Sequence, residues 1–184
     1  MTTSTMINGI NTTAIMALVA DIEKDPKAGM VSFGVTSSWK GTTRMEATVS
    51  SWSIAGQSKP RQFVISTDEP NELCGENSAP NPQETLMAAM NACMMVGYVA
   101  NAALMGITLE QLEIVTEGSL DLRGFLGLSN EVTPGNSELH YHIRVKGDGN
   151  PAQYEELHEK VIATSPNRWN LANPVKINAS LEVL

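Results

Sequence analysis

Between Leu86 and Gly106 the chain runs LMAAMNACMMVGYVANAALMG, without a single charge, and carries one cysteine, Cys93, near the middle. A stretch of this kind has to be shielded from water. Asn81-Pro82-Gln83-Glu84 stands directly ahead of it. That tetrapeptide reads as a helix start: asparagine caps exposed N–H groups, proline suits the first turn, and a glutamate three positions on reaches back to the cap. The spacing therefore predicts a buried helix that carries Cys93 and ends at Gly106. Its length passes the threshold of about 18 apolar residues for a membrane span. The side chains argue for a core helix instead, because Ala, Met, Gly and Asn outnumber Leu, Ile and Phe, and Asn91, Tyr98 and Asn101 interrupt the run. Met87, Met90, Met94, Met95 and Met105 suit gap filling against irregular neighbours.

The rest of the chain bounds the partners. A net charge of −8 with only 12 Lys and Arg supplies no cationic cluster for a polyanion, so neither nucleic acid nor an acidic membrane surface is expected. Two cysteines, Cys74 and Cys93, are too few for a disulfide framework and too far apart for a Cys-x-x-Cys motif. A reducing, cytoplasmic setting is the simpler expectation. The N-terminal sequence has no basic residue before Lys24, and its short apolar patch leads into Asp21 and Glu23, so no export signal is read there.

Along the chain, residues 1–28 read as an extension and residues 29–184 as one domain. Residues 1–11 look mobile, whereas Thr12 to Lys24 suits a short amphipathic helix with Ile15, Met16, Leu18, Val19 and Ile22 on its apolar side. Met30 to Trp39 and Arg44 to Ile54 form a predicted hairpin about Lys40-Gly41, with Arg61 to Thr67 as a third strand. After the central helix, Leu109 to Leu122 should pair with Glu138 to Lys146. Asn150-Pro151-Ala152-Gln153 opens a second helix with Tyr154, Leu157, Val161 and Ile162 on its apolar stripe, and Val175 to Leu184 reads as a closing strand.

The order of elements gives an α+β fold with antiparallel sheets around a buried central helix. One small sheet cannot cover a helix that is apolar on every face, so a second subunit is expected to supply the other cover. Trp39, Trp52 and Trp169 are expected in the core or at that interface. His140 and His142 share a side of one strand, but with His158 the only other histidine no metal site is expected. No cofactor is implied.

Asp68-Glu69-Pro70, the Gly75 loop, Asn81-Pro82 opening a helix, Cys93 eleven positions after that proline, and Ser165-Pro166 after the second helix together resemble the OsmC/Ohr family. The similarity covers roughly Met30 to Leu184. It implies an intertwined homodimer whose active site lies at the interface, and thiol-based reduction of organic hydroperoxides. In that family a cysteine on the central helix attacks the peroxide. A second cysteine, in a Cys-Pro sequence, closes a disulfide, and an external dithiol regenerates the enzyme. An arginine of the N-terminal hairpin stabilises the thiolate, and a glutamate at the start of the central helix holds that arginine.

Carried over by position, Cys93 is the attacking cysteine. Its helical neighbours Ala89, Met90, Val96 and Gly97 are apolar and suit an organic tail. The same apolar setting disfavours a thiolate unless a cation is near. Arg44 is the candidate, with Lys40 as substitute and a solvated strand residue as the ordinary alternative. Gln83 stands ten positions ahead of Cys93, where the hydroperoxidases keep their glutamate, and glutamine forms no ion pair. Glu84 stands nine ahead, on the opposite side of the helix at about 100° per residue, and reads first as an N-terminal cap. Ser165 occupies the place of the second cysteine and cannot form a disulfide. Resolution would then fall to an external thiol or to Cys74, which otherwise is an ordinary loop thiol.

Three readings follow. The leading one is a single-cysteine organic hydroperoxide reductase working as a homodimer with an external thiol reductant. The second is a degenerate OsmC-like protein that binds a small apolar ligand at the dimer interface, with Cys93 a buried hydrophobe. The third is a structural stress protein whose dimer is its whole function.

Overall fold

The computed structural model describes residues 5–184, which fall into two compact units that divide between Ala88 and Ala89. Residues 1–4 of the segment expected to be mobile lie outside the described residues. Residues 5–11 are ordered: β1 (Met6–Ile7) and β2 (Ile10–Asn11) pair in a minimal hairpin. The side chain of Asn11 then caps α1 (Thr12–Lys24) by accepting from the Ala14 N–H. The helix is the one the periodicity predicts, yet no residue on it is buried, and Met16, Leu18 and Val19 lie open.

A four-stranded antiparallel sheet makes up most of the first unit. The expected first strand divides into β3 (Val31–Phe33) and β4 (Thr36–Trp39), interrupted at Gly34-Val35, and both pair with β5 (Met45–Ile54). The turn between β4 and β5 is closed by Lys40 and Arg44, each donating its backbone N–H, to the Arg44 and Gly41 carbonyls respectively. The third strand, β6 (Gln57–Thr67), starts four residues before the expected Arg61 and pairs along β5 with a bulge between Val49 and Ser51. Met45, Ala47 and Val49 register with Thr67, Ile65 and Phe63, so the strand alternation places all six on one face. Phe33 stacks on Trp52 with ring centroids 6.1 Å apart.

The central helix α2 (Pro82–Leu104) begins in the first unit and continues into the second. Its end is chemically explicit. Gly106 takes a positive φ of 76° and donates to the Ala103 carbonyl, and the Ile107 N–H returns to the Ala102 carbonyl, which satisfies the last exposed acceptors. Within the single chain one side of the helix is buried and the other is open. Met90, Met94, Tyr98, Ala102 and Ala103 are buried, whereas Leu86, Val96 and Leu104 are exposed, Val96 by 70%. Length and composition alone would let α2 cross a membrane. Its small and methionine-rich side chains instead pack one side of it into a core.

In the second unit, β7 (Leu109–Gly118) pairs antiparallel with β8 (Leu139–Gly147), joined by a connection that contains the single-turn helix α3 (Leu122–Phe125). A capping box of Asn150 and Gln153 starts α4 (Pro151–Thr164), as the sequence signals. Leu157 and Val161 of α4 join Met90, Met94, Tyr98, Ala102, Ile107 and Ile114 in the core. Gly97 eases the crossing, since a Cβ there would stand 3.3 Å from a Val161 methyl and press on it.

One expectation fails at the C-terminus. Beyond a further helix, α5 (Pro166–Ala172), on which the sequence reading was silent, the expected closing strand Val175–Leu184 has no strand partner among the described residues. The alternation of Val175, Ile177, Leu181 and Val183 is genuine, but these residues are exposed along a segment without regular structure. A strand needs a neighbour to hydrogen-bond, and sequence pattern alone does not supply one. Trp39 and Trp169 are likewise exposed, 76% and 53%, and so are not part of this chain's core.

Candidate functional site

Cys93 sits half-buried on α2, one turn beyond the buried Met90 and one residue before the fully buried Met94. The Ser165 hydroxyl donates to the Cys93 Sγ at 3.5 Å, and Ser165 is itself almost fully buried. Ser165 lies at the junction of α4 and α5. Its N–H is held by the Val161 carbonyl, and its own carbonyl accepts from the Trp169 N–H. Asn167 ties α5 to α2 by donating to the carbonyl of Ala89, one turn before Cys93, at 2.8 Å. Arg168 completes the junction by donating from Nε to the Tyr141 hydroxyl at 2.9 Å and from Nη1 to the Ile162 carbonyl at 3.3 Å. A cavity of about 210 Å³ opens here, lined by Met90, Leu139, Tyr141, Arg168, Leu171 and Ala172.

Deeper along α2, Asn91 is held by the Thr116 hydroxyl at 2.6 Å and by the Ile114 carbonyl at 3.3 Å. Tyr98 is hydrogen-bonded to His158 Nδ1 on α4. Burial, with the neighbouring Tyr141 phenol as a second cause, pushes the Tyr98 hydroxyl up to about 12. The phenol therefore stays protonated at neutral pH. A larger cavity, about 540 Å³, is lined by Tyr98, Tyr141, Tyr154, His142, His158 and Glu155 among others.

The remaining expected residues lie in the first unit. Arg44 pairs with Glu76 at 3.7 Å, with both side chains about half exposed, and Lys40 pairs with Glu46 at 3.4 Å. Glu84 forms the capping box read from sequence: its carboxylate accepts the Asn81 N–H, and the Asn81 side chain accepts the Glu84 N–H, both at 2.8 Å. Gln83 is half-buried in the same turn. Cys74 is exposed at the end of a short 3₁₀ turn, with a positive φ of 66°.

The Asp68-Glu69-Pro70 segment has a structural explanation. Buried Asp68 accepts from the Thr43 and Ser78 hydroxyls and from the N–H groups of Glu69, Glu76 and Ser78. Burial would push its carboxyl up. The hydrogen bonds from Thr43, Ser78 and Glu69 outweigh that and hold it well below the usual carboxylate range. Gly75 is required by the same loop, because a Cβ there would fall 1.8 Å from the Glu69 carbonyl oxygen.

Sequence reasoning found the positions of Cys93 and Ser165 but read the serine only as a missing cysteine. The contact between them went unseen. A serine directly before a proline signals the start of a helix there, but not that its hydroxyl leaves the cap for the sulfur. The Tyr98–His158 pair and the anchoring of α5 by Arg168 carry no comparable signature.

The model of the OsmC-like protein family matches residues 75–180, and the chain belongs to that family. Among solved structures, an OsmC-like protein from Mycoplasma pneumoniae superposes with a TM-score of 0.60 at 18% identity, over 77% of this chain and 87% of that one. A candidate osmotic stress induced and detoxification response protein from Psychrobacter arcticus gives a TM-score of 0.55 at 17% identity, over 73% and 84% of the two chains. At these identities the likeness is one of fold. Among curated proteins nothing matches the sequence.

Proposed function

We propose that this protein is a thiol-dependent organic hydroperoxide reductase with Cys93 as its single reactive cysteine. The observation that carries the reading is the setting of that sulfur: half-buried on a largely apolar helix, with a buried hydroxyl donating to it. Such a site shelters a nucleophile while leaving it a route to substrate. In the first step the Cys93 thiolate attacks one oxygen of ROOH. An S–O bond forms, the O–O bond breaks, sulfur gives up two electrons, and the departing alkoxide takes a proton to leave as ROH. The sulfenic acid then condenses with an external thiol, releasing water, and a second thiol displaces the mixed disulfide to restore Cys93.

Arg44 is the proposed cation for the thiolate and the polarised peroxide. Its present partner, Glu76, is an exposed ion pair of a kind that holds weakly, so the guanidinium is readily released. Glu84 orders the start of α2 through the capping box, with Gln83 beside it. The working unit is proposed to be an intertwined cytoplasmic homodimer, supported by the bare apolar residues on α1, α2 and β6. The test is consumption of cumene hydroperoxide with a small dithiol as reductant. The alcohol should form stoichiometrically, a sulfenic-acid trap should label Cys93, and both should vanish in Cys93→Ser. A folded protein that neither consumes peroxide nor takes the trap overturns the reading.

A further inference from the structure

We propose that Ser165 is a positioning residue for Cys93, its hydroxyl holding the sulfur as it gains charge and then as it gains oxygen. The inference rests on the reading of Cys93 as a nucleophile but stands on a separate observation, the geometry at the start of α5. A serine at a helix N-cap ordinarily accepts a hydrogen bond from one of the first exposed N–H groups. Ser165 is the N-cap of α5, followed by Pro166, yet its side chain makes no capping bond. The hydroxyl is turned to the Cys93 Sγ instead, at 3.5 Å, and only 4% of the residue is exposed.

The backbone that carries this hydroxyl is anchored on every side. Val161 and Trp169 fix the Ser165 backbone on both sides, Asn167 joins the same turn to the Ala89 carbonyl, and Arg168 locks α5 to Tyr141 and Ile162. A donor held in advance needs no reorganisation when charge develops on its acceptor. The hydrogen bond strengthens as the thiol becomes a thiolate, since charge-assisted bonds are roughly twice as strong as neutral ones. Ser165 keeps its own proton throughout. After attack the same hydroxyl faces a sulfenic oxygen, and having no thiol it cannot displace water from it. The residue that fails as a resolving group thus serves as a fixed donor, and the oxidised sulfur is left for an external thiol.

Iodoacetamide reads the sulfur without any peroxide turnover. Ser165→Ala, with Cys74 replaced by serine in every protein compared, should alkylate Cys93 about tenfold more slowly at pH 7, consistent with the loss of one hydrogen bond to a charged group. Its rate profile should move to higher pH, and Ser165→Thr should recover much of the rate. Equal rates and profiles for the alanine variant and its parent overturn the proposal. Should Ser165→Ala fail to fold, Asn167→Ala replaces it. Loosened anchoring of α5 should slow alkylation with an unchanged circular dichroism spectrum, and an unchanged rate overturns the proposal. The two readings separate by outcome. Ser165-dependent alkylation without peroxide consumption ends the reductase reading and keeps this one, whereas peroxide turnover indifferent to Ser165→Ala does the reverse.

Discussion

Tyr98 on α2 and His158 on α4 meet in a hydrogen bond between the phenol oxygen and Nδ1, inside a core otherwise filled by Met94, Leu157 and Val161. The pair is one of the few polar links between the two helices. Because burial holds the phenol neutral up to about pH 12, while an unfolded tyrosine ionises near 10, the folded state gives up stability at high pH. The sign follows from the raised value: the contribution is complete below pH 10 and is lost as pH climbs toward 12. Urea midpoints measured from pH 8 to 12 should fall over that window. Tyr98→Phe should flatten the alkaline limb while lowering stability at pH 7 by about 1–3 kcal/mol, the cost of leaving His158 without its partner.

Asp68 predicts the opposite limb. Its carboxyl is held well below the ordinary 3.8 by the Thr43, Ser78 and Glu69 hydrogen bonds, which outweigh burial. A depressed carboxylate stabilises the fold above its unfolded value and loses that contribution as pH falls below about 4. Asp68→Asn supplies one acceptor oxygen where the carboxylate uses two, so it should lower the thermal midpoint at neutral pH. It should also flatten the decline in stability below pH 4, in denaturation series run from pH 7 to 2. A variant with the wild-type acid limb would remove Asp68 from its place at the centre of the loop.

What could be read from sequence was whatever short-range chemistry decides. Asn81 with Glu84 and Asn150 with Gln153 announced both helix starts through cap geometry, and Gly106 announced an end through its freedom at positive φ. The pairing of β7 with β8 followed from alternation across a turn-rich stretch. Partner-dependent features were not legible. Val175 to Leu184 alternates like a strand but pairs with none of the described residues, and Trp39, expected in the core or at an interface, lies 76% exposed in the single chain. The composition of the central helix said that every face needs a cover but not which face this chain covers itself, and Val96 marks one left open in the single chain. At the site, the sequence located Cys93 and Ser165 separately. Their contact joins residues 72 positions apart, and only folding brings those together.

The uncovered surface leads to a prediction about assembly. Val96 at 70% exposure with Leu104 on α2, and Phe63, Val64 and Ile65 on β6, are bare large apolar side chains of the kind that contact with a second subunit covers. Sedimentation equilibrium should give twice the 19.8 kDa chain mass at micromolar concentration. Val96→Asp should shift the species toward monomer without loss of helical circular dichroism, because that side chain makes no part of the buried core. A monomer at all concentrations would leave the exposed α2 face unexplained and end the dimer proposal.

Restoring sulfur at position 165 tests the separation between α2 and the start of α5. Ser165 Oγ lies 3.5 Å from Cys93 Sγ, and a disulfide needs the two sulfurs to close to about 2.05 Å with compatible Cβ directions. A modest shift at a helix junction suffices for that. In Ser165→Cys, one equivalent of cumene hydroperoxide should convert Cys93 to its sulfenic acid, and the introduced thiol should then expel water to form an internal disulfide. Peptide mapping should find residues 93 and 165 cross-linked, with loss of two hydrogens and no label from a sulfenic-acid trap. The wild-type protein under the same conditions should give a trapped sulfenic acid, or a mixed disulfide once a small thiol is added. A Ser165→Cys protein that stays trap-reactive would mean that the short contact does not persist in solution, and the donor role assigned to the serine would fall with it.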